Sequence, residues 1–430
     1  MSTNTPATGL GSRCPRRRFL GGLGAACAAP WVLRGADGVG PAAAFDARLE
    51  DFMRRRRTPG GAVAVVKDRR LVYARGYGWA DREGEVAATP ETLFRVASVS
   101  KPITAAAILQ LVERGRLDLE TRVFTLLDLE ARLEPEDRLD DRWRRVTIRH
   151  LLHHTGGWDR DRSGDPMFVA QRTLARRSPD LPEGSPWRVI RHQLARPLDF
   201  DPGARYAYSN FGYCLLGRVI EKLEGRSYEA FVREATLAPA GIRRMRLGRS
   251  REDQRAEGEA RYYTSDPPDP AKEGGTASRS GAYGAFNLEA MDAHGGWIAS
   301  VVDLARFAAA LDGPDRCPLL RPATLALLRE PPAPPVARRP DGSLEPAYYG
   351  CGWMVRPVPP GSGANFWHAG SLPGTYAFLM RLANGLSMAV VFNRRSEDPK
   401  LPDADVDPLL HQAARAVTAW PAEDLFGRYG

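Results

Sequence analysis

Lysine is nearly absent from this chain: five in 430 residues, within a basic total of 61 that is otherwise arginine. Cysteine is equally scarce at five, and none has C-x-x-C or other metal-ligand spacing. That excludes a disulfide framework and a structural zinc module. No run of about eighteen apolar residues occurs, so no membrane-spanning helix is expected. Also missing are G-x-S-x-G, the nucleophile turn of an α/β-hydrolase, and H-E-x-x-H, the zinc pair of a metalloprotease. The formal charge of +9 points only weakly to nucleic acid. The excess arginine is dispersed, without aromatic–basic interleaving. Residues 1–44 hold five arginines against one aspartate, which leaves the rest of the chain nearer +5. Neither nucleic-acid binding nor a metal or organic cofactor is expected.

What is present begins with 43% hydrophobic residues, enough to bury a large core in one or two domains. The N-terminal stretch CPRRRFLGGLGAACAAPWVLRGADG sets arginines before a Gly/Ala-rich apolar run too short to span a bilayer. Arg16-Arg17, followed by Arg18-Phe19-Leu20, resembles the twin-arginine export signal. The expectation is an export signal over residues 1–44, cut near Ala26–Ala29 or Ala42–Ala44, and a periplasmic or extracellular protein. Removing it leaves Cys214, Cys317 and Cys351. Cys214, inside YCLLGRVIEKLEG, reads as core, and Cys317–Cys351 is the conceivable bridge.

Two β-rich runs, Ala62–Val66 and Leu71–Gly76, flank the polar turn Lys67–Arg70 and predict a hairpin. A helix over Ser100–Glu113 follows, stopped by Gly115. Residues 116–290 are rich in Pro, Gly, Arg and Asp, with helical patches at 147–154, 211–223 and 228–235. Near the end, TYAFLMRL and LSMAVVFN bracket Ala383-Asn384-Gly385, a second hairpin. A last amphipathic helix, VDPLLHQAARAVTAW, lies in the 401–430 segment. The pattern predicts an α+β fold: an antiparallel sheet built from N- and C-terminal segments, flanked by helices, with an inserted, mostly helical region at about 116–290.

Ser98 and Lys101, in SVSK, are three residues apart, so a helix sets them on one face within hydrogen-bonding reach. Pro102 is tolerable only in a first helical turn, which places Ser98 at the N-terminus, where the dipole favours developing negative charge. A buried lysine loses proton affinity and becomes a base for the serine hydroxyl. Tyr208-Ser209-Asn210 stands about 110 residues on, offering a phenol to shuttle the proton and an amide to orient substrate and lysine. His368-Ala369-Gly370 precedes the second hairpin. There a small residue and a glycine let a substrate approach the strand edge, and the amides of Ser98 and Ser371 are candidates for an oxyanion hole.

SVSK, YSN and HAG, in that order, together resemble the three motifs of the class C β-lactamase, D-Ala-D-Ala carboxypeptidase and esterase superfamily of penicillin-recognising serine hydrolases. The resemblance covers about residues 45–400. It implies a β-lactamase/transpeptidase-like fold with Ser98 as nucleophile, Lys101 as general base and Tyr208 as acid/base partner. Asn210, His368, Gly370 and Ser371 become substrate-binding positions. The implied substrate is a small ester, amide or D-amino-acid peptide, with esterase-like chemistry ahead of carboxypeptidase, β-lactamase or a penicillin-binding sensor that acylates without turnover. Class C β-lactamases carry Lys-Thr-Gly where this chain has His-Ala-Gly. A neutral His368 recognises a substrate carboxylate less well.

Other motifs read as structural. His150, His153 and His154 share a predicted helix face, but the resemblance makes His154-Thr155-Gly156 a turn. Ser300-x-x-Asp303 is a helix cap. Of Trp158, Trp297, Trp353 and Trp367, one or two are expected to line the acyl pocket.

Overall fold

The run GGAVAVV does not alternate in polarity because both faces of its strand are covered. In the computed structural model it forms β1 (Gly60–Lys67) and returns as β2 (Arg70–Asp81). Asp68 and Arg69 between them sit at φ 50° and 68°, the double left-handed turn that matches strand twist. The structure describes residues 38–264, 281–359 and 363–429, so the expected leader falls, up to residue 37, outside the described residues.

Short strands follow at β3 (Val86–Ala87), β4 (Phe94–Arg95), β5 (Arg246–Leu247) and β6 (Trp297–Ala299). The C-terminal part adds β7 (Tyr348–Tyr349), β8 (Met354–Val358), β9 (Gly363–Leu372), β10 (Thr375–Arg381) and β11 (Leu386–Phe392). The main sheet runs β3-β2-β1-β11-β10-β9-β8-β7. Its two chain ends meet where β1 pairs antiparallel with β11, Val63 opposite Val390. This is the expected antiparallel sheet. Strand β5 departs from the predicted helical insertion: it pairs with β6, and β6 with β4, in a second three-stranded sheet. Two-residue strands are too short to leave a period in the sequence.

The residue at each sheet position decides which helices cover it. On one face β1, β10 and β11 present Ala62, Ala64, Ala377 and Ala389, small enough for helices to come close. Helix α2 (Ser100–Glu113) and the helix Val301–Ala310 belong to that side. Ser100 to Leu111 of α2 are all buried, so it is a central helix rather than an amphipathic surface one. Its first turn holds Pro102, as expected. On the other face Val63, Val65, Met388 and Val390 pack with α1 (Pro41–Arg55) and the helix Val406–Ala416. Residues Ala42–Ala44, one expected processing point, form the first turn of α1, with Ala44 buried.

Several local expectations have clear outcomes. Ser300 and Asp303 make a reciprocal capping box. Cys214 is fully buried core. Cys317 and Cys351 are both free thiols, contrary to the conceivable bridge. Cys351 lies instead 3.4 Å from Nε2 of His153.

Phe52 of α1 stacks on Phe392 of β11 with centroids 5.3 Å apart, both rings about 1% exposed. Phe52→Ala should therefore cost about 3–5 kcal/mol, read as a lower urea midpoint with an unchanged m-value.

Candidate active site

The chain reaches Ser98 through a braced loop. After β4, Ala97 adopts φ 46°, a conformation that costs a non-glycine residue about 1–3 kcal/mol and needs surrounding support. The support is Arg95. Its fully buried guanidinium lies over Tyr262 and Tyr283, at 4.3 and 5.0 Å, and donates to the carbonyls of Ala282 and Arg249. Thr375 of β10 donates to the Arg95 carbonyl at 2.7 Å. Ala97–Val99 form a 3-10 turn running directly into α2, leaving Ser98 half-buried at the helix start.

Lys101, 0% exposed, is the best-connected side chain of the site. Its Nζ lies 3.0 Å from Ser98 Oγ, 2.7 Å from Asn210 Oδ1 and 2.9 Å from the carbonyl of His294. Burial holds its proton affinity well below the ordinary lysine value, with Asp165 raising it and Arg160 lowering it further. Asn210 opens the helix Asn210–Glu224, whose N-cap is Ser209, and its Nδ2 donates to Asp165 Oδ2 at 2.6 Å. Tyr208 hydrogen-bonds Ser98, and burial raises its phenol, keeping it protonated. The Tyr208 loop is tied down by His154: Nδ1 accepts from the Ser209 amide and the carbonyl from that of Ala207.

His368 and Gly370 come from β9, beyond the point where β8 stops pairing at Trp367. Nδ1 of His368 is 2.7 Å from the Ala369 carbonyl, which only accepts, so Nδ1 carries the hydrogen. Nε2 then accepts from the Tyr349 hydroxyl at 2.9 Å. Burial, then Lys101, takes His368 down to about 3, a neutral imidazole. Gly370 is demanded by space: a Cβ there would stand 2.1 Å from the Val96 carbonyl and 3.1 Å from the Ser98 amide nitrogen. The strand edge thus lies directly against the Ser98 turn, with Ser371 exposed beside it.

Two cavities meet at Ser98. One of about 300 Å³ is walled by Tyr206, Tyr208, Tyr349, Trp367 and His368. The other, about 290 Å³, has Asn210, Phe168, Met291, Arg160 and Arg395. All seven sequence-predicted residues are brought together here. Of the four tryptophans, Trp367 lines one of these two cavities, while Trp158, Trp297 and Trp353 are buried core. The shared histidine face does not form, because the helix ends at Leu152. His150 caps it through Thr147, and His154 turns into φ 57°. No group of three metal-ligating side chains occurs among the described residues. Sequence reasoning missed Asp165, Arg160, Tyr349 and the carbonyl of His294. Asp165 precedes a proline and reads as an ordinary turn former, and a carbonyl leaves no mark on the sequence.

Burial also keeps His153 neutral, down at about 3. The unfolded chain protonates such a ring near 6.5, so between about 6.5 and 3 the unfolded state binds more protons and stability falls as pH falls. Between pH 7 and 5 the wild type should lose about 2 kcal/mol more than His153→Gln, measured by urea unfolding at both pH values.

Comparison with known proteins agrees with the geometry. The Beta-lactamase family model matches residues 45–412. Esterase EstB of Burkholderia gladioli is 35% identical over 214 residues, 48% of this chain and 52% of EstB. A probable fimbrial assembly protein FimD, serogroup H1, of Dichelobacter nodosus is 35% identical over 154 residues, 36% of this chain and 35% of that one. The chain thus spans about half or less of the length of these curated relatives. Among solved structures, the octameric penicillin-binding protein homologue from Pyrococcus abyssi superposes with a TM-score of 0.64 at 25% identity, over 85% of this chain and 76% of that one. D-amino acid amidase from Ochrobactrum anthropi SV3 shares the fold, with a TM-score of 0.65 at 22% identity over 87% of this chain and 98% of that one. The chain belongs to the Beta-lactamase family.

Proposed function

We propose that this chain is an exported, esterase-like serine hydrolase that cleaves small esters or amides through an acyl-enzyme on Ser98. The observation that carries the reading is the Lys101 ammonium position, fully buried and 3.0 Å from Ser98 Oγ. Two of its three contacts, Asn210 Oδ1 and the His294 carbonyl, only accept hydrogens. A neutral lysine has two N–H groups and one lone pair. With both hydrogens so engaged, the lone pair faces Ser98, ready to take its proton.

Attack forms an Oγ–carbon bond and an oxyanion beside the Ser98 and Ser371 amides, where each donor is worth about 3 kcal/mol of barrier. Tyr208, neutral and hydrogen-bonded to Ser98, passes a proton to the departing alcohol or amine. The leaving group therefore lies in the aromatic cavity that Tyr208 lines, and the acyl group on the Asn210 side. Water then cleaves the acyl-enzyme by the reverse path. The match to Esterase EstB supports the ester reading. So does His368, whose neutral ring offers no fixed charge to a β-lactam carboxylate. The twin arginines ahead of an apolar run support export.

Hydrolysis of a short-chain nitrophenyl ester by the purified chain tests the reading. Ser98→Ala should lower turnover by about 10⁴-fold or more while the protein stays folded. Ser100→Ala, whose hydroxyl makes only a 3.4 Å contact with the Trp297 amide, should lose less than about tenfold. Equal losses in the two variants would reject Ser98 as nucleophile.

The strand edge makes a separate prediction. Gly370→Ala should lower kcat/KM on the order of 100-fold, because Ser98 or β9 must move to admit the methyl group.

A further inference from the structure

Of the two charged groups near Lys101 that no catalytic motif of the sequence contains, Asp165 and Arg160, the carboxylate is hydrogen-bonded to a lysine partner, Asn210. Asp165 lies half-buried at the N-cap of the short turn Pro166–Phe168, its Oδ1 accepting from the Met167 amide at 3.0 Å. Its other oxygen, Oδ2, receives Nδ2 of Asn210 at 2.6 Å. An ionised carboxylate only accepts hydrogen bonds, so it can receive the NH₂ end of the Asn210 amide and never the carbonyl end. That contact settles which way the amide points. With Nδ2 on Asp165, Oδ1 must face Lys101, as it does at 2.7 Å. Were the amide reversed, its NH₂ would meet the lysine nitrogen. The lysine lone pair would then be drawn toward Asn210 and away from Ser98.

We propose that Asp165 is a positioning residue. By holding the Asn210 amide in one orientation, it keeps both Lys101 hydrogens on acceptors and the lone pair directed at Ser98 Oγ. The inference rests on the Ser98–Lys101 reading above. The carboxylate acts through Asn210 and touches no reacting atom.

The same placement gives Asp165 an electrostatic signature. Several titratable groups face Lys101. Tyr208 and Tyr213 lie with ring centroids 4.8 and 5.7 Å from Nζ, and burial keeps both protonated. His154, His294 and His368 are buried and neutral. The two remaining charges are opposite: Asp165 favours the protonated lysine, and Arg160, over the Tyr208 ring at 4.8 Å, disfavours it. Removing Asp165 should therefore lower the lysine's proton affinity, and removing Arg160 should raise it.

Covalent labelling of Ser98 by a fluorophosphonate, followed by mass spectrometry across pH, tests this without a natural substrate. Serine displaces fluoride, and the rate reports the base. Asp165→Asn leaves the fold's contacts nearly isosteric but permits the amide to reverse. Its labelling rate should fall about 10- to 100-fold at the plateau, with the acid limb moved about one pH unit lower. Arg160→Gln should move that limb higher. A plateau rate and acid limb both equal to wild type in Asp165→Asn would overturn the inference while leaving the Ser98 reading intact. So would a slower rate with an unmoved limb and a lowered unfolding temperature, which marks a purely structural role. Failure of the wild type itself to label at Ser98 would overturn the Ser98 reading, and this inference with it.

Discussion

Everything in this site depends on keeping one ammonium out of water. A lysine with no exposed surface faces a desolvation penalty of several kcal/mol in its charged form, which holds its proton affinity well below the ordinary lysine value. An amine is a base only if its lone pair is free. The fold meets both demands with α2, a helix buried all round, and with acceptors that occupy the two hydrogens. Scarcity of lysine elsewhere is consistent with this division of labour. Arginine keeps its charge almost anywhere and serves the surface ion pairs, whereas lysine can be made neutral.

The same low-dielectric environment governs the neighbours. His154, His294 and His368 are held neutral chiefly by burial, which leaves Arg160 as the cation that acts on the lysine. Tyr208 is kept protonated by the same burial that lowers the proton affinity of Lys101, since desolvation disfavours whichever form is charged. One physical cause thus favours an acceptor at the lysine and a donor at the phenol. In the proposed reaction, their shared contact with Ser98 is the path for a proton between attack and departure.

Geometry is supplied by the sheet rather than by the helix alone. The pairing of β1 with β11 joins distant ends of the chain, and β10 carries Thr375 to the loop before Ser98. The adjoining β9 presses Gly370 against the Ser98 turn, closer than any side chain permits. The turn's strained Ala97 is therefore held from the sheet side and, through Arg95 and its tyrosines, from the insertion side. The Ser98 turn is thus held by three segments far apart in sequence.

This explains what the sequence disclosed and what it did not. Ser98, Lys101, Tyr208, Asn210, His368 and Gly370 were legible because they fall in three short patterns that, taken in order, resemble the motifs of one superfamily. The hairpins were legible because apolar runs and turn residues are local as well. Asp165 was not, since its role depends on one long-range contact, Oδ2 to an amide 45 residues away. An aspartate before proline has an adequate local explanation as a turn former, and no local period competes with it. The three-stranded sheet β4-β6-β5 stayed hidden for the same reason: its strands are two or three residues long, and only the tertiary fold aligns them. Motifs record the atoms that react, whereas the groups that aim those atoms are specified by packing. On the role proposed for Asp165, the aim of the base passes through an amide whose direction an acceptor-only partner fixes.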